Sequence, residues 1–328
     1  MWQPANRLTS IVAQRHPSNP LLTKDSSSAI GTNINGPSVI RVPAWMKSPL
    51  GKYYMYFAHH KGTSIRLAYA DDPSGPWTVY EPGTLKLEDA EAVHDHIASP
   101  DVHVDESRQV VRMYFHGPAR DRPGQWTCVA TSRDGISFEA SPEILGKFYF
   151  RVWSWQGAWY AIAKDDNTGW GLLYRSEDGL NGFESRGPFL KRIRHAAVLV
   201  RAPYLLVFYT RKGDAPEHIV VSSIDMRPSW QDWIPSKLAM VLRPETEYEG
   251  IAYPNAPSDY GSATAVRQLR DPCILLEDER IYLYYSIAGE MGIALAQLDL
   301  TIMPSTRTGN RTRRLLDRAW RNLTGRPL

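Results

Sequence analysis

The sequence predicts an all-β fold, a five-bladed β-propeller with a short C-terminal helical tail. Three observations carry that prediction. Strand-like runs recur in five groups, the second run of each group is rich in Tyr and Phe, and the third run ends in a turn that pairs an acid, a turn former and an aromatic. Self-similarity of this kind marks a repeat architecture in which each unit stacks on its neighbours.

The first runs are "PSVIRVPAW" (37–45), "PDVHVDE" (100–106), "YFRVWSWQG" (149–157), "HAAVLVRAP" (195–203) and "DPCILLEDE" (271–279). Their alternation is weak, as expected of inner strands covered on both faces. The second runs, "KYYMYFAHH", "VVRMYFHGP", "AWYAIAKDD", "YLLVFYTRK" and "RIYLYYSIA", carry the aromatics, and third runs such as "SIRLAYADD" and "HIVVSSID" follow. The turns "ADDPSGPWTVYE", "SRDGISFEA" and "SEDGLNGFES" supply the Asp-Gly and Pro-Ser-Gly steps that tight hairpins need before a fourth strand. A β-sandwich gives no reason for these features to recur in register.

The fifth group lacks its fourth strand before the chain reaches "TIMPSTRTG", and "LTSIVAQ" near the N-terminus is expected to supply it, since a closed ring leaves no unpaired edge. The expected organisation is therefore a ring-closing segment at 1–35, the propeller at 36–303 and a basic helical tail at 304–328. In the tail, Leu315, Leu316, Ala319, Trp320 and Leu323 fall at helical spacing. A helix that docks on the propeller or on a second copy, giving a homo-oligomer, is expected ahead of nucleic-acid binding.

Composition narrows the class. Of 328 residues 43% are hydrophobic and 22% charged, and no apolar run reaches the ~18 residues that cross a bilayer. Net charge is +3, but the tail holds seven arginines against one acid, so the rest of the chain is slightly acidic. Cys128 and Cys273 sit in apolar stretches without metal-ligand spacing and read as buried thiols. The N-terminal stretch lacks the pattern of a secretory signal, so a cytoplasmic location is expected.

In a propeller, the loops before the inner strands and those between second and third strands open on one face. That rule gathers Asn35, His94, His96, Asp101, Arg151, His195, Arg270 and Asp271 with His59, His60, His116, Arg211, Glu217 and Glu290. With His218 of the blade-four loop, seven of the nine histidines fall on this face, whereas the opposite turns are short and acidic or rich in Pro and Gly. A binding or catalytic site at the mouth of the central channel follows. The long insertion "RPETEYEGIAYPNAPSDYGSATAVRQ" is expected to wall it, with Trp126, Trp170, Tyr248 and Tyr253 as candidates to stack on a sugar.

The segments "SPDVHVDE", "VRMYFHG", "GKYYMYFAHH", "YADDPSGPWTVYEPG" and "LRDPCILLEDERIYLYYS" resemble the five-bladed propeller glycosidases of the arabinanase and β-xylosidase type, with their neoagaro-oligosaccharide hydrolase relatives. The resemblance spans about Gly36 to Leu300, and details of "GPSVIRVPAW" and "GDAPEHIVVSSID" are closest to uncharacterised bacterial members. It implies a glycoside hydrolase acting on a small oligosaccharide or a polysaccharide chain end, with an acid at the first inner strand as general base, a tuning acid on blade two and a third carboxyl as general acid. The carry-over is partial. Blade one has Asn35-Gly36-Pro37 where the family has an acid before proline, blade two has Ser99-Pro100-Asp101, and only blade five keeps acid-Pro, in Arg270-Asp271-Pro272.

The expected catalytic set is accordingly Asp101, Asp271 and His96, then Glu249 of the insertion. Such chemistry needs one group that holds a proton near neutral pH and one that is ionised. A histidine can supply the proton because its ordinary pKa is about 6.5. The expected substrate-binding set is Asn35, His59, His60, His94, His116, Arg151, His195, Arg211, Glu217, Arg270 and Glu290. No cofactor is expected, although the histidine cluster leaves room for a channel cation or for a metal-dependent lyase or isomerase. A non-catalytic carbohydrate-binding propeller is the other alternative.

Overall fold

The computed structural model describes residues 7–303, apart from 166–167, 259 and 262–263; the expected tail helix at 304–328 lies outside the described residues. The described strands form five antiparallel sheets. Blade one is Asn35–Arg41, Tyr53–Ala58, Arg66–Ala70 and Thr78–Tyr80; blade two is Ala98–Asp105, Val110–Pro118, Gln125–Ser132 and Glu139–Ala140. Blade three is Arg151–Trp155, Ala158–Asp165, Trp170–Ser176 and Glu184–Lys191, and blade four is Ile193–Arg201, Tyr204–Arg211, Ile219–Asp225 and Ala239–Leu242.

Blade five takes Arg270–Glu277, Arg280–Ser286 and Gly292–Met303, and its fourth strand is the N-terminal Arg7–Arg15, antiparallel to Gly292–Met303 with Ile11 opposite Leu300. The first and the last described long strands thus meet in one sheet and close the ring. The described helical turns are two short 3-10 segments, Leu87–Asp89 and Trp230–Asp232. Among the described residues no helix is long and apolar enough to cross a membrane.

The aromatic second strands explain the packing. Successive side chains of a strand point to opposite faces, and here both faces are buried against neighbouring blades. Tyr54 and Tyr56 enter the cluster shared by blades one and two, while Tyr53, Met55 and Phe57 enter the one shared by blades five and one. Tyr282 and Tyr284 likewise face blade one, and Leu283 and Tyr285 face blade four. Five such clusters fill the five wedges between blades. Large rings suit wedges that widen outwards, so the repeat selects Tyr and Phe. Cys128 and Cys273 are buried free thiols inside these clusters, and burial pushes both thiols up to about 12.

Four inner strands start with a register shift at the same place: between Asn35 and Ser38, Ala98 and Asp101, Ile193 and Ala196, and Arg270 and Cys273. A bulge there turns successive side chains in different directions, and this decides which residues reach the site.

Candidate active site

One mouth of the channel holds a pocket of about 240 Å³. Its described wall comes from the entries to inner strands (Asn35, Ala98, Ser99, Tyr149, Arg194, His195), from the ends of second strands, the start of one third strand and the loops between them (His60, Lys61, His116, Gln125, Lys164, Glu290), and from neighbouring segments (His96, Phe148, Tyr260, Gly261). Residues spread over more than 250 positions of sequence therefore meet here because ring closure sets all five blades around one axis.

Backbone strain concentrates at this mouth. Gly36, Ser99, Tyr149 and Asp271 each precede or open an inner strand with φ of +63°, +50°, +65° and +44°. Glycine tolerates this region freely, whereas Ser, Tyr and Asp hold it at a cost of about 1–3 kcal/mol each. Such cost persists where the side chain has a task.

A line of three groups runs inward from the pocket wall, with Tyr149 and His195 on the wall and Asp271 behind them. The Tyr149 hydroxyl lies 3.0 Å from His195 Nε2, and His195 Nδ1 lies 3.0 Å from Asp271 Oδ1. Ser286 donates its hydroxyl to Asp271 Oδ2 at 3.0 Å. Oδ1 of Asp271 makes no aligned hydrogen bond, so a small rotation of either side chain completes the line; catalytic contacts are often loose before substrate arrives. Burial first, and the nearby charge of Glu290 second, push the Asp271 carboxyl up to about 7. Burial among Arg194, Arg270, Lys164 and Arg151 holds His195 well below its ordinary value. The pair thus keeps one proton near neutral pH, on the carboxyl side.

Glu290 faces the same pocket and is treated differently. Arg270 Nη1 donates to its Oε1 at 2.7 Å, and the side-chain amides of Asn33 and Asn35 donate to its Oε2 at 3.0 and 3.2 Å. These three donors fix the orientation of the carboxyl in the pocket wall. Arg270 is wholly buried and is itself braced by Gln268 and Ser258.

His116 is buried, its ring packs at 4.5 Å from that of Tyr149, and its Nδ1 has no partner. Burial holds it far below its ordinary pKa, so it stays neutral. His96 contacts Asp95 at 2.9 Å and Gln125 at 3.2 Å. His60 is lowered by burial despite the opposing charge of Glu290. Lys164 lies 4.9 Å from the Phe148 ring centre. Arg194 donates to Glu217 at 2.9 Å and to the Ser258 carbonyl of the insertion, so Glu217 is a fully buried second layer whose carboxyl burial pushes up.

Several expected residues lie elsewhere. Asp101 points into a separate cavity of about 260 Å³ lower in the channel, with Arg151 and His103. There it accepts from the Val152 amide at 2.7 Å and contacts His103 Nε2 at 2.9 Å; although burial pushes its carboxyl up, His103 and Arg151 hold it below the ordinary value. Arg151 donates to the Ala196 and Phe150 carbonyls.

Glu249 is the clearest displacement from the expected catalytic set. It is fully buried away from the pocket, where it receives Arg15 at 2.8 and 2.9 Å, the Tyr285 hydroxyl at 2.9 Å, and the amides of Glu245 and Thr246. Every lone pair it has for chemistry is committed to tying the N-terminal strand to the insertion. Arg211 pairs with Asp214, His94 is exposed on its loop, and His59 bonds the His60 carbonyl at 2.6 Å; none of the three lines the pocket.

The insertion walls the pocket through Tyr260 and Gly261, but Trp126, Trp170, Tyr248 and Tyr253 do not reach it. The aromatic surface is instead Tyr149, Phe148 and Tyr260. Tyr149, Lys164, Lys61, Arg194 and Gln125 were outside the expected binding set, although four of the five stand at the loop positions that supplied the rest. Among the described residues no group of three or more His, Cys, Asp or Glu side chains is placed to hold a metal ion.

The fold is that of the five-bladed propeller glycoside hydrolases. A glycosyl hydrolase from Bacteroides ovatus superposes with a TM-score of 0.62 at 10% identity, covering 87% of this chain and 92% of that one. A GH43 enzyme from Xanthomonas citri gives 0.59 at 14% identity over 89% and 96%. A GH43 β-xylosidase/α-arabinofuranosidase from a compost microbial metagenome, in complex with xylotriose, gives 0.58 at 12% identity over 89% and 98%. No family model matches the sequence.

In sequence, the chain is 35% identical over 325 residues to an uncharacterized protein of Acanthamoeba polyphaga mimivirus, covering 87% of this chain and 89% of that protein. The chain belongs to the family of that protein. This relative is viral, so the bacterial kinship suggested by the sequence segments gains no support from it.

Proposed function

We propose that this chain is a glycoside hydrolase that removes a terminal sugar, with Glu290 as the ionised carboxylate and the Asp271–His195 pair as the proton donor. The observation that carries this reading is the different setting of two neighbouring carboxyls: Asp271, behind His195, is pushed up to about 7, while Glu290 on the pocket wall is clamped by Arg270, Asn33 and Asn35. Acid and base roles in hydrolysis need that difference. The fold supports the reading, since the superposing structures are glycosyl hydrolases.

In this scheme Glu290 takes a proton from water as that water attacks the anomeric carbon. His195 Nε2, beside Tyr149 on the pocket wall, passes a proton to the departing glycosidic oxygen and is recharged from Asp271. The pocket, at about 240 Å³, is smaller than the ~300–1,000 Å³ of sites for drug-sized ligands, which favours one terminal ring over a length of chain. Asn35, His96 and His116 supply hydrogen-bonding edges for its hydroxyls. No cofactor is needed for these steps.

One observation favours a second reading, sugar binding without hydrolysis. Only one carboxylate, Glu290, lines the described wall, and Asp271 acts through His195. Release of reducing sugar from a panel of oligosaccharides and aryl glycosides separates the two: turnover that disappears in Asp271→Asn supports hydrolysis, and binding with no turnover of any substrate supports the alternative.

A further inference from the structure

We infer that the sugar in this pocket carries a negative charge, a carboxylate or a phosphate on the terminal ring; the inference rests on the proposed saccharide site and names its substrate class. Among the described residues that line the pocket, three are basic, Lys61, Lys164 and Arg194, and one is acidic, Glu290; Glu217 pairs with Arg194 from behind. Glu290 is already neutralised by Arg270 from behind. Of the two lysines Lys61 is exposed and Lys164 is buried, and a neutral sugar gives no reason to bury a lysine on the wall of so small a pocket, since a desolvated charge is costly to hold.

The distribution of these groups adds direction. Lys164 is buried, and its ammonium stands against Phe148 and Tyr149, with Tyr149 in turn against His116. The Nδ1 atom of His116 is buried and unpartnered in that same corner, and Phe148 packs on its ring at 5.4 Å. A buried ring nitrogen without a protein partner is left open to a ligand atom or a water. An ammonium beside a neutral imidazole edge matches an oxyanion with an adjacent hydroxyl, and charge-assisted bonds of this kind are about twice as strong as neutral ones.

Equilibrium binding to the full-length protein tests the inference, using methyl glucuronoside, methyl galacturonoside and glucose 6-phosphate beside the neutral methyl glucoside and methyl galactoside. The expected result is that one anionic ligand binds at least about tenfold tighter than its neutral parent, a preference that shrinks in high salt. Lys164→Met should abolish that preference and Lys164→Arg should retain it, with melting curves confirming that both variants fold. The carboxylate and phosphate arms identify which anion is read. Equal affinity for charged and neutral ligands overturns this inference and leaves the saccharide site standing, whereas no binding of any sugar overturns both.

Discussion

His195 Nδ1 lies 3.0 Å from Asp271 Oδ1, and both side chains are almost wholly buried, His195 on the pocket wall and Asp271 behind it. Replacing Asp271 with Asn preserves size and the Ser286 contact but removes the titrating proton. We expect hydrolysis to fall by about 10²–10³-fold, the usual contribution of a positioned proton donor, with little change in substrate affinity. Steady-state kinetics of Asp271→Asn beside the wild type checks this.

The same carboxyl sets the pH profile. It holds its proton up to about 7 because burial and Glu290 disfavour the charge. Below that pH the donor is loaded, and above it the proton is lost, so turnover should fall as pH rises through about 7. A profile of kcat from pH 5 to 9 measures the limb; because Glu290→Gln removes the base along with the repelling charge, the expected move of Asp271 to lower pH in that variant is read by NMR titration of its carboxyl instead of by turnover.

Glu290→Gln should also cost stability, since it leaves the buried Arg270 guanidinium without its 2.7 Å counter-charge. Removing one partner of a buried pair costs about 3–5 kcal/mol, and Gln can still accept one bond, so we expect a loss of about 3 kcal/mol. Urea denaturation of the variant measures it.

Glu249→Gln separates architecture from chemistry. Its carboxylate anchors Arg15 of the ring-closing strand and lies outside the pocket wall. We expect a loss of about 3 kcal/mol of stability with sugar affinity and turnover unchanged in the folded variant. A fall in kcat at full folding would return Glu249 to the catalytic set.

His116 gives a stability signature. Its folded pKa lies below the unfolded value of about 6.5, so as pH falls below that value the unfolded chain takes up a proton that the folded one refuses. Stability should therefore drop toward acid, by up to about 1.4 kcal/mol per pH unit for this one group. His116→Phe should flatten that part of the slope. Comparing denaturation midpoints of the two proteins between pH 5 and 8 isolates His116, because His195 and Asp271 are present in both.

The blades were legible because their signal is local and repeated: aromatic second strands fill wedges that every blade shares, and Asp-Gly turns punctuate them. The pocket's histidines were legible for the same reason, since ring topology fixes which loops share a face. The difference between Asp101 and Asp271 was not. Asp271 precedes its proline and meets His195 of the pocket wall, whereas Asp101 follows its proline and is turned down the channel; Ser99, before Pro100, is the residue that lines the pocket. One position across a bulge redirects a side chain, and composition carries no trace of it. Glu249 was illegible for another reason, because its partner Arg15 lies 234 positions away and nothing local marks the pair.

The most direct measurement is sugar release by Asp271→Asn and Asp101→Asn beside the wild type, on one oligosaccharide panel at pH 6. The expected result is turnover in the wild type, retained within about threefold in Asp101→Asn and lost by at least about 10²-fold in Asp271→Asn. Turnover that survives in Asp271→Asn, or that is lost in Asp101→Asn alone, would contradict the assignment of the proton to the Asp271–His195 pair.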